Sequence, residues 1–213
     1  MNYKSITNQN SEIIIIGSGG HAVSIANVAI SAGYNIKFFL DIYSHESHLL
    51  GYKIVQNIDS YINFDNVSFA IGIGNNSIRE RVFEEFSRKY KNIKFPPLMH
   101  KSSIISSFCT IDVGVIVMPQ AVIGPNTKIG KFCIINTHAS IDHDCIMHDF
   151  SSLAPSAVTG GRVMIGYRSA VSIGAVVKDN LFIGNDSVLG ANSYLHNNLG
   201  SNQIVVGSPA KLI

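Results

Sequence analysis

Charge is what this chain has least of: only 14% of its 213 residues are Asp, Glu, Lys or Arg, and the net charge is +2. Binding nucleic acid by neutralising phosphates needs clustered Lys and Arg. The basic residues here are scattered, so composition argues against that class of function. A run of about twenty apolar residues, the length that crosses a bilayer, is also missing. The block Ile13–Ile16 is short and followed by glycine; it reads as a buried strand rather than a signal peptide. Cys109, Cys133 and Cys145 lack Cys-x-x-Cys spacing, so neither a zinc cluster nor a disulfide framework has its pattern. They read as reduced interior thiols, and the expected location is cytoplasmic. Sparse charge suits a protein with a large interior, or an oligomer that hides part of its outside.

What the chain has instead is a beat. Every sixth residue from Ile105 to Leu195 is aliphatic or Met, with Thr159 the exception. Four residues after each beat the chain places mostly small side chains, such as Cys109, Ala121, Ser151, Ala157 and Ser187. Glycine often follows the beat, at Gly124, Gly130, Gly166, Gly184 and Gly190, where a sharp corner is expected to demand unusual backbone angles. Hexapeptide periodicity is the mark of a parallel β-helix. Three hexads make one lap, and about five laps stacked at roughly 4.8 Å make a prism about 25 Å tall. Positions eighteen apart should lie one above the other. Spacing this even leaves no room for the variable turns of a sandwich.

Before the beat the pattern alternates between strand and helix. Glu12–Ile16 is an apolar run, Gly17-Ser18-Gly19-Gly20-His21-Ala22 a glycine turn, His21 to Ala32 a helix closed by Gly33, and Ile36–Leu40 a second strand ending in Asp41. A glycine fingerprint opening a helix, with an acidic residue about twenty positions on, is a nucleotide-binding pattern. Glycines let backbone approach a phosphate, and the helix N-terminus offers unpaired N–H groups. A further strand from Val67 to Ile73, a second turn at Gly72-Ile73-Gly74-Asn75-Asn76 and a helix from Ser77 to Tyr90, with Arg79 in its first turn, complete a small Rossmann-like α/β domain. The second half of a dinucleotide fold is missing, so one nucleotide fits better than NAD. Glycines that merely make tight turns are the plainer alternative. Phe95-Pro96-Pro97-Leu98 is the expected linker, dividing residues 1–97 from 98–213.

His143 is the candidate for chemistry. It stands two residues after a beat, so its side chain should leave the prism, and eighteen residues on is Gly161, preceded by Gly160. An imidazole beneath a bare backbone N–H could take a proton from a nucleophile while the N–H steadies an oxyanion. Asp142 and Asp144 flank it, and an adjacent carboxylate can fix its tautomer. From spacing alone a solvated histidine on a polar wall is the simpler reading, as His138 and His148 illustrate. A metal triad of those three fails, because offsets of five place them on different parts of the lap.

Several segments together resemble a known family. Asn136-Thr137, Ile141-Asp142-His143-Asp144, Leu153-Ala154-Pro155, Thr159-Gly160-Gly161 and Val206-Gly207-Ser208-Pro209-Ala210-Lys211 resemble the bacterial sialic-acid and amino-sugar acetyltransferases. Gly17 to His21 and Ile71 to Arg79 are similar to that family's N-terminal domain. The resemblance implies a left-handed β-helix, a homotrimer, acetyl-CoA as acyl donor and no metal. Within the family the chain looks most like enzymes that N-acetylate a UDP-4-amino-4,6-dideoxy sugar to form UDP-N,N'-diacetylbacillosamine. It implies His143 as general base supported by Asp144. Gly160, Gly161, Gly190, Ala191, Gly207, Ser208 and Pro209 would contact acetyl-CoA. Gly17, Gly19, Gly20, His21, Asp41, Gly74, Asn75 and Asn136 would hold the nucleotide sugar. The nucleotide sugar would lie in one copy's N-terminal domain and acetyl-CoA along the prism of a neighbour. The chain departs from the family at His148-Asp149-Phe150 and Ser152, where a Gly-acidic pair and a further histidine are usual. Rival readings are O-acetylation of a sialic acid, N-acetylation of a GDP- or dTDP-linked amino sugar, and a non-catalytic sugar-nucleotide scaffold.

Overall fold

The computed structural model describes residues 11–59 and 67–213; the first ten positions of the 1–97 domain assigned above, and 60–66, lie outside them. The N-terminal unit holds β1 (Glu12–Ile16), α1 (Gly20–Ser31), β2 (Asn35–Leu40), β3 (His48–Leu49), β4 (Tyr52–Val55), β5 (Val67–Ile71) and α2 (Asn76–Lys89). Its sheet runs β3-β4-β2-β1-β5, with β4, β2, β1 and β5 parallel and β3 antiparallel at the edge. The order reverses between β1 and β5. That switch point is where parallel α/β sheets open a crevice beyond the carboxyl ends of their strands.

The hexapeptide region is a three-walled prism of two-residue strands, with a three-residue strand at its end. The first wall runs from Ile104–Ile105 to Tyr194–Leu195, the second from Thr110–Ile111 to Phe182–Ile183, and the third from Leu98–Met99 to Ile204–Val206. Strands pair in parallel with partners eighteen positions away, as in Ile123 with Ile141 and Ile135 with Leu153. Beat residues from Val117 to Leu195 fill an apolar interior with the small corner residues Ala121, Cys133, Ala139 and Ala157. Thr159 is buried too, with Oγ1 3.4 Å from the Asp142 N–H. The three cysteines are free and buried, and burial pushes the Cys133 thiol up to about 11.

Both ends of the beat differ from the expectation. Met99 keeps step and pairs with Val117, so the prism begins at Leu98–Met99, directly after the paired prolines. At the top the last lap is shorter: Leu189 pairs with Val205 and Ile183 bridges Leu199, each sixteen positions away. An antiparallel turn from Val206 to Lys211 then closes that end.

The glycines after the beat have a different cause from the one expected. Left-handed backbone falls three residues after the beat, from Gly114 to Asn192, and is mostly occupied by Asn, Asp, Arg, Phe, Ser, His and Gln. A short polar side chain tolerates that conformation as an isolated residue. The glycines at 124, 166 and 184 serve close approach instead. A β-carbon at Gly124 would lie 2.7 Å from the Asp142 carbonyl carbon, and one at Gly184 would lie 2.4 Å from the Ser201 nitrogen. Laps stacked at strand spacing leave no room for a side chain there.

The N-terminal unit mounts on the third wall. Residues of α1, including Ala22, Ile25 and Ala29, share a core with the outward-facing Leu98, Ile116, Met118 and Ile134. Helix α2 lies along the corner between the second and third walls, where Phe83 meets Phe132 at 4.3 Å and Phe150 at 6.0 Å. Among the described residues no helix is long and apolar enough to cross a membrane.

Candidate active site

His143 follows the first-wall strand Ser140–Ile141 and turns outward at the corner between the first and second walls, its side chain 40% exposed. The next residue, Asp144, is in the left-handed conformation, which folds its carboxylate back so that Oδ2 lies 2.7 Å from His143 Nδ1. Asn126, one lap below, donates from Nδ2 to the other carboxylate oxygen at 3.2 Å. The hydrogen bond with His143, and then that from Asn126, hold the Asp144 carboxyl below its ordinary range. An ionised carboxylate only accepts, so in a neutral ring the proton sits on Nδ1 and the lone pair on Nε2. Directly above lies Gly161, where a β-carbon would come within 2.6 Å of Nε2 and Cε1. The neighbours Gly160 and Arg162 donate their N–H groups to Val177 and His143 carbonyls. Among the described residues no acceptor is paired with the Gly161 N–H. The imidazole thus lies directly against the backbone of Gly161.

The crevice of the N-terminal unit is built from two glycine loops. Gly17 has φ +104°, and a β-carbon there would lie 3.3 Å from the Gly72 carbonyl oxygen, so the loops touch. Gly19 and Gly20 open onto free space. Asp41 organises the first loop, accepting from Ser18 N–H at 3.0 Å, Ser18 Oγ at 2.7 Å and Tyr43 N–H at 3.0 Å. His21 lies under Gly74, and its buried Nε2 has no hydrogen-bond partner among the described residues. Burial, then the nearby Arg79 charge, pull the His21 imidazole down to about 4, so it is neutral at physiological pH. Asn75 caps α2, its side chain accepting from the Ile78 N–H at 3.0 Å. Gly74, Asn75 and Ser77 line a cleft shared with Ser152, Arg168 and Asp186 of the prism.

A single chain does not bring all the expected residues together. Gly160 and Gly161 share the His143 corner. Asn136, Gly190 and Ala191 lie on the corner between the third and first walls, where the Asn136 side chain accepts from the Thr137 N–H at 2.8 Å. Gly207, Ser208 and Pro209 are near that corner, Gly207 accepting from the Tyr194 N–H at 3.0 Å. The third wall carries the nucleotide-type crevice, and the His143 corner is the one opposite it. His138, His143 and His148 occupy three different corners, and among the described residues no cluster of His, Cys, Asp or Glu could hold a metal.

Two participants escape a reading of the sequence. Asn126 is found only by stepping eighteen positions back from Asp144. Arg79 is noticed as a helix residue, but its burial on the stripe with Phe83 and Phe86 shows only when the faces are assigned.

Comparison with known proteins bears on the fold and on sequence similarity. Residues 12–86 match the PglD N-terminal domain. GDP-perosamine N-acetyltransferase of Escherichia coli O157:H7 is 32% identical over 113 residues, 53% of this chain and 50% of that protein. A histidine-to-alanine variant of GDP-perosamine N-acetyl transferase from Caulobacter crescentus, in complex with CoA and GDP-perosamine, superposes with TM-score 0.88 at 26% identity over 95% of this chain and 96% of its own. The acetyltransferase domain of PglB from Neisseria gonorrhoeae FA1090, in complex with acetyl coenzyme A, superposes with TM-score 0.90 at 27% identity over 96% and 100%. The chain is similar to these N-acetyltransferases in sequence over about half its length and in fold over nearly all of it. The segment that matches the PglD N-terminal domain is followed by a hexapeptide-repeat β-helix. The chain spans about half the length of the curated GDP-perosamine N-acetyltransferase it matches.

Proposed function

We propose that this protein transfers the acetyl group of acetyl-CoA to the amino group of a nucleoside-diphosphate-linked amino sugar. The observation that carries the reading is the His143–Asp144 pair with Nε2 aimed beneath Gly161. The sugar amine attacks the thioester carbonyl carbon while His143 Nε2 takes one of its protons. The oxygen of the tetrahedral adduct gains negative charge and accepts from the Gly161 N–H. Collapse breaks the C–S bond, and the imidazolium returns its proton to the departing thiolate. Asp144 holds the ring in the productive tautomer throughout. The domain comprising residues 1–97 would hold the nucleotide sugar and that comprising 98–213 the acetyl-CoA.

The active assembly is a homotrimer in this reading. A sugar held at the third wall of one chain cannot use the histidine of the opposite corner, whereas a neighbouring copy can supply it. The first wall lies between the two corners that carry the expected acetyl-CoA residues, and its outward Ile104, Val158, Val176 and Tyr194 form an exposed apolar face. Covering that face with another copy would bring the two sets of residues to one groove.

The family resemblance suggests a UDP-linked 4-amino-4,6-dideoxy sugar, and the relatives named above favour the GDP-linked sugar perosamine. We take GDP as the first substrate to test and UDP as the second. Release of free CoA thiol on mixing acetyl-CoA with GDP-, UDP- or dTDP-linked 4-amino sugars tests the reading, with NMR identifying the acetylated nitrogen. No thiol release with any of them would overturn it.

A further inference from the structure

Helix α2 meets the prism through Phe83, through Glu80, which accepts from Arg168 Nη1 at 2.7 Å, and through a buried arginine that spans two laps. Arg79 donates from Nε to the Phe132 carbonyl at 2.9 Å and from Nη2 to the Phe150 carbonyl at 2.8 Å. Those carbonyls are eighteen residues apart, so one guanidinium spans two successive laps. The same group donates from Nη1 to the Gly74 carbonyl at 2.8 Å and the Ile73 carbonyl at 3.3 Å, and from Nη2 to Asn76 Oδ1 at 2.8 Å. Asn76 in turn donates from Nδ2 to the Arg168 and Ser169 carbonyls at 2.9 and 3.2 Å. The second glycine loop is therefore pinned at the lap of Arg168, which is also the lap of Gly161 and the one above His143.

We propose that Arg79 is a positioning residue that sets the height of the nucleotide-sugar crevice along the prism, so that the sugar amine meets an acetyl group between His143 and Gly161. The inference rests on the acetyltransferase reading above. Rotation of copies about an axis parallel to the prism leaves heights unchanged, so registry made within one chain is carried to the histidine of the next. A planar fork of N–H donors suits this role, because its donors match two carbonyls held a fixed lap apart. Lysine, a single point of donation, can hold one lap but not measure two. A misplacement of about 1 Å in such a reaction costs about a hundredfold in rate.

The test compares wild type with Arg79→Lys and Arg79→Met in the full-length protein. Spin labels on Glu46→Cys and Ser201→Cys, diluted with unlabelled chains, report the distance between crevice and prism top. Steady-state kinetics with the GDP- and UDP-linked 4-amino sugars report turnover. In Arg79→Lys we expect the distance distribution to shift or broaden and kcat to fall about tenfold to a hundredfold. The KM for acetyl-CoA should stay within about twofold of wild type, as for a loss confined to the transition state. An unchanged distance distribution, or weaker nucleotide-sugar binding with unchanged kcat, overturns the proposal. Should Arg79→Met fail to fold, Arg79→Lys still decides. A wild type without turnover overturns the acetyltransferase reading, and the label distances then decide the mount on their own.

Discussion

His143 and Gly161 occupy one column of the prism, the imidazole filling the space that a side chain at 161 would take. Gly161 has ordinary backbone angles, so its glycine is there for room and not for conformation. Gly161→Ala should fold with a melting temperature near wild type and lose about a hundredfold in kcat as the methyl displaces the ring. Thermal unfolding and initial rates check this; a rate near wild type would show that the ring does not work from its present place.

The base and its support predict a graded series. His143→Ala should lose a hundredfold to ten-thousandfold in kcat, roughly the range of general-base catalysis, while acetyl-CoA affinity measured by calorimetry is retained. Asp144→Asn presents an amide in place of the carboxylate and should cost less. Asn126→Ala, acting only through Asp144, should cost least. An Asn126→Ala loss as large as that of His143→Ala would place Asn126 in contact with substrate.

His21 predicts a dependence of stability on pH. Its folded value of about 4 lies below the ordinary 6.5, so between these values the unfolded chain binds more protons than the folded one. Stability contributed by neutral His21 is therefore full above 6.5 and falls as pH drops toward 4, by on the order of 2–3 kcal/mol. Urea unfolding of wild type and His21→Gln at pH 7 and pH 5 isolates this part: the wild type should lose more stability than the variant. Equal losses would mean that the imidazole is hydrated and free to charge.

The two kinds of corner position predict responses of different size. Gly166→Ala pushes a β-carbon to 2.6 Å from the Gly184 carbonyl carbon, and overpacking of this kind costs about 1–3 kcal/mol. Ser156 sits at φ 58°, so Ser156→Gly relieves left-handed strain and should change stability by under about 1 kcal/mol in either direction. Chemical denaturation of both variants checks the contrast.

The architecture was legible because it is repetitive. A side chain every sixth position must enter a narrow bore, and a single slip would turn it outward, so periodicity alone specifies strand, corner and lap. Both glycine loops and the outward turn of His143 follow from the same local logic. Close approach between laps did not show, since it depends on the neighbour eighteen positions away and not on the residue's own conformation. This is why the glycines after the beat suggested unusual angles when their cause is contact.

Left to the tertiary structure were the relations between elements that the chain separates by tens of residues. Arg79 finds Phe132 and Phe150 only after α2 lies on the corner, and Asn126 finds Asp144 only when the laps stack. Placing the crevice on the third wall and His143 on the corner opposite it belongs to the same level. The order of residues determined the interior and the local turns, because hydrophobic burial and backbone sterics act over short stretches of chain. Folding in three dimensions decided which polar groups meet, because a hydrogen bond depends on distance in space and carries no periodic mark in sequence.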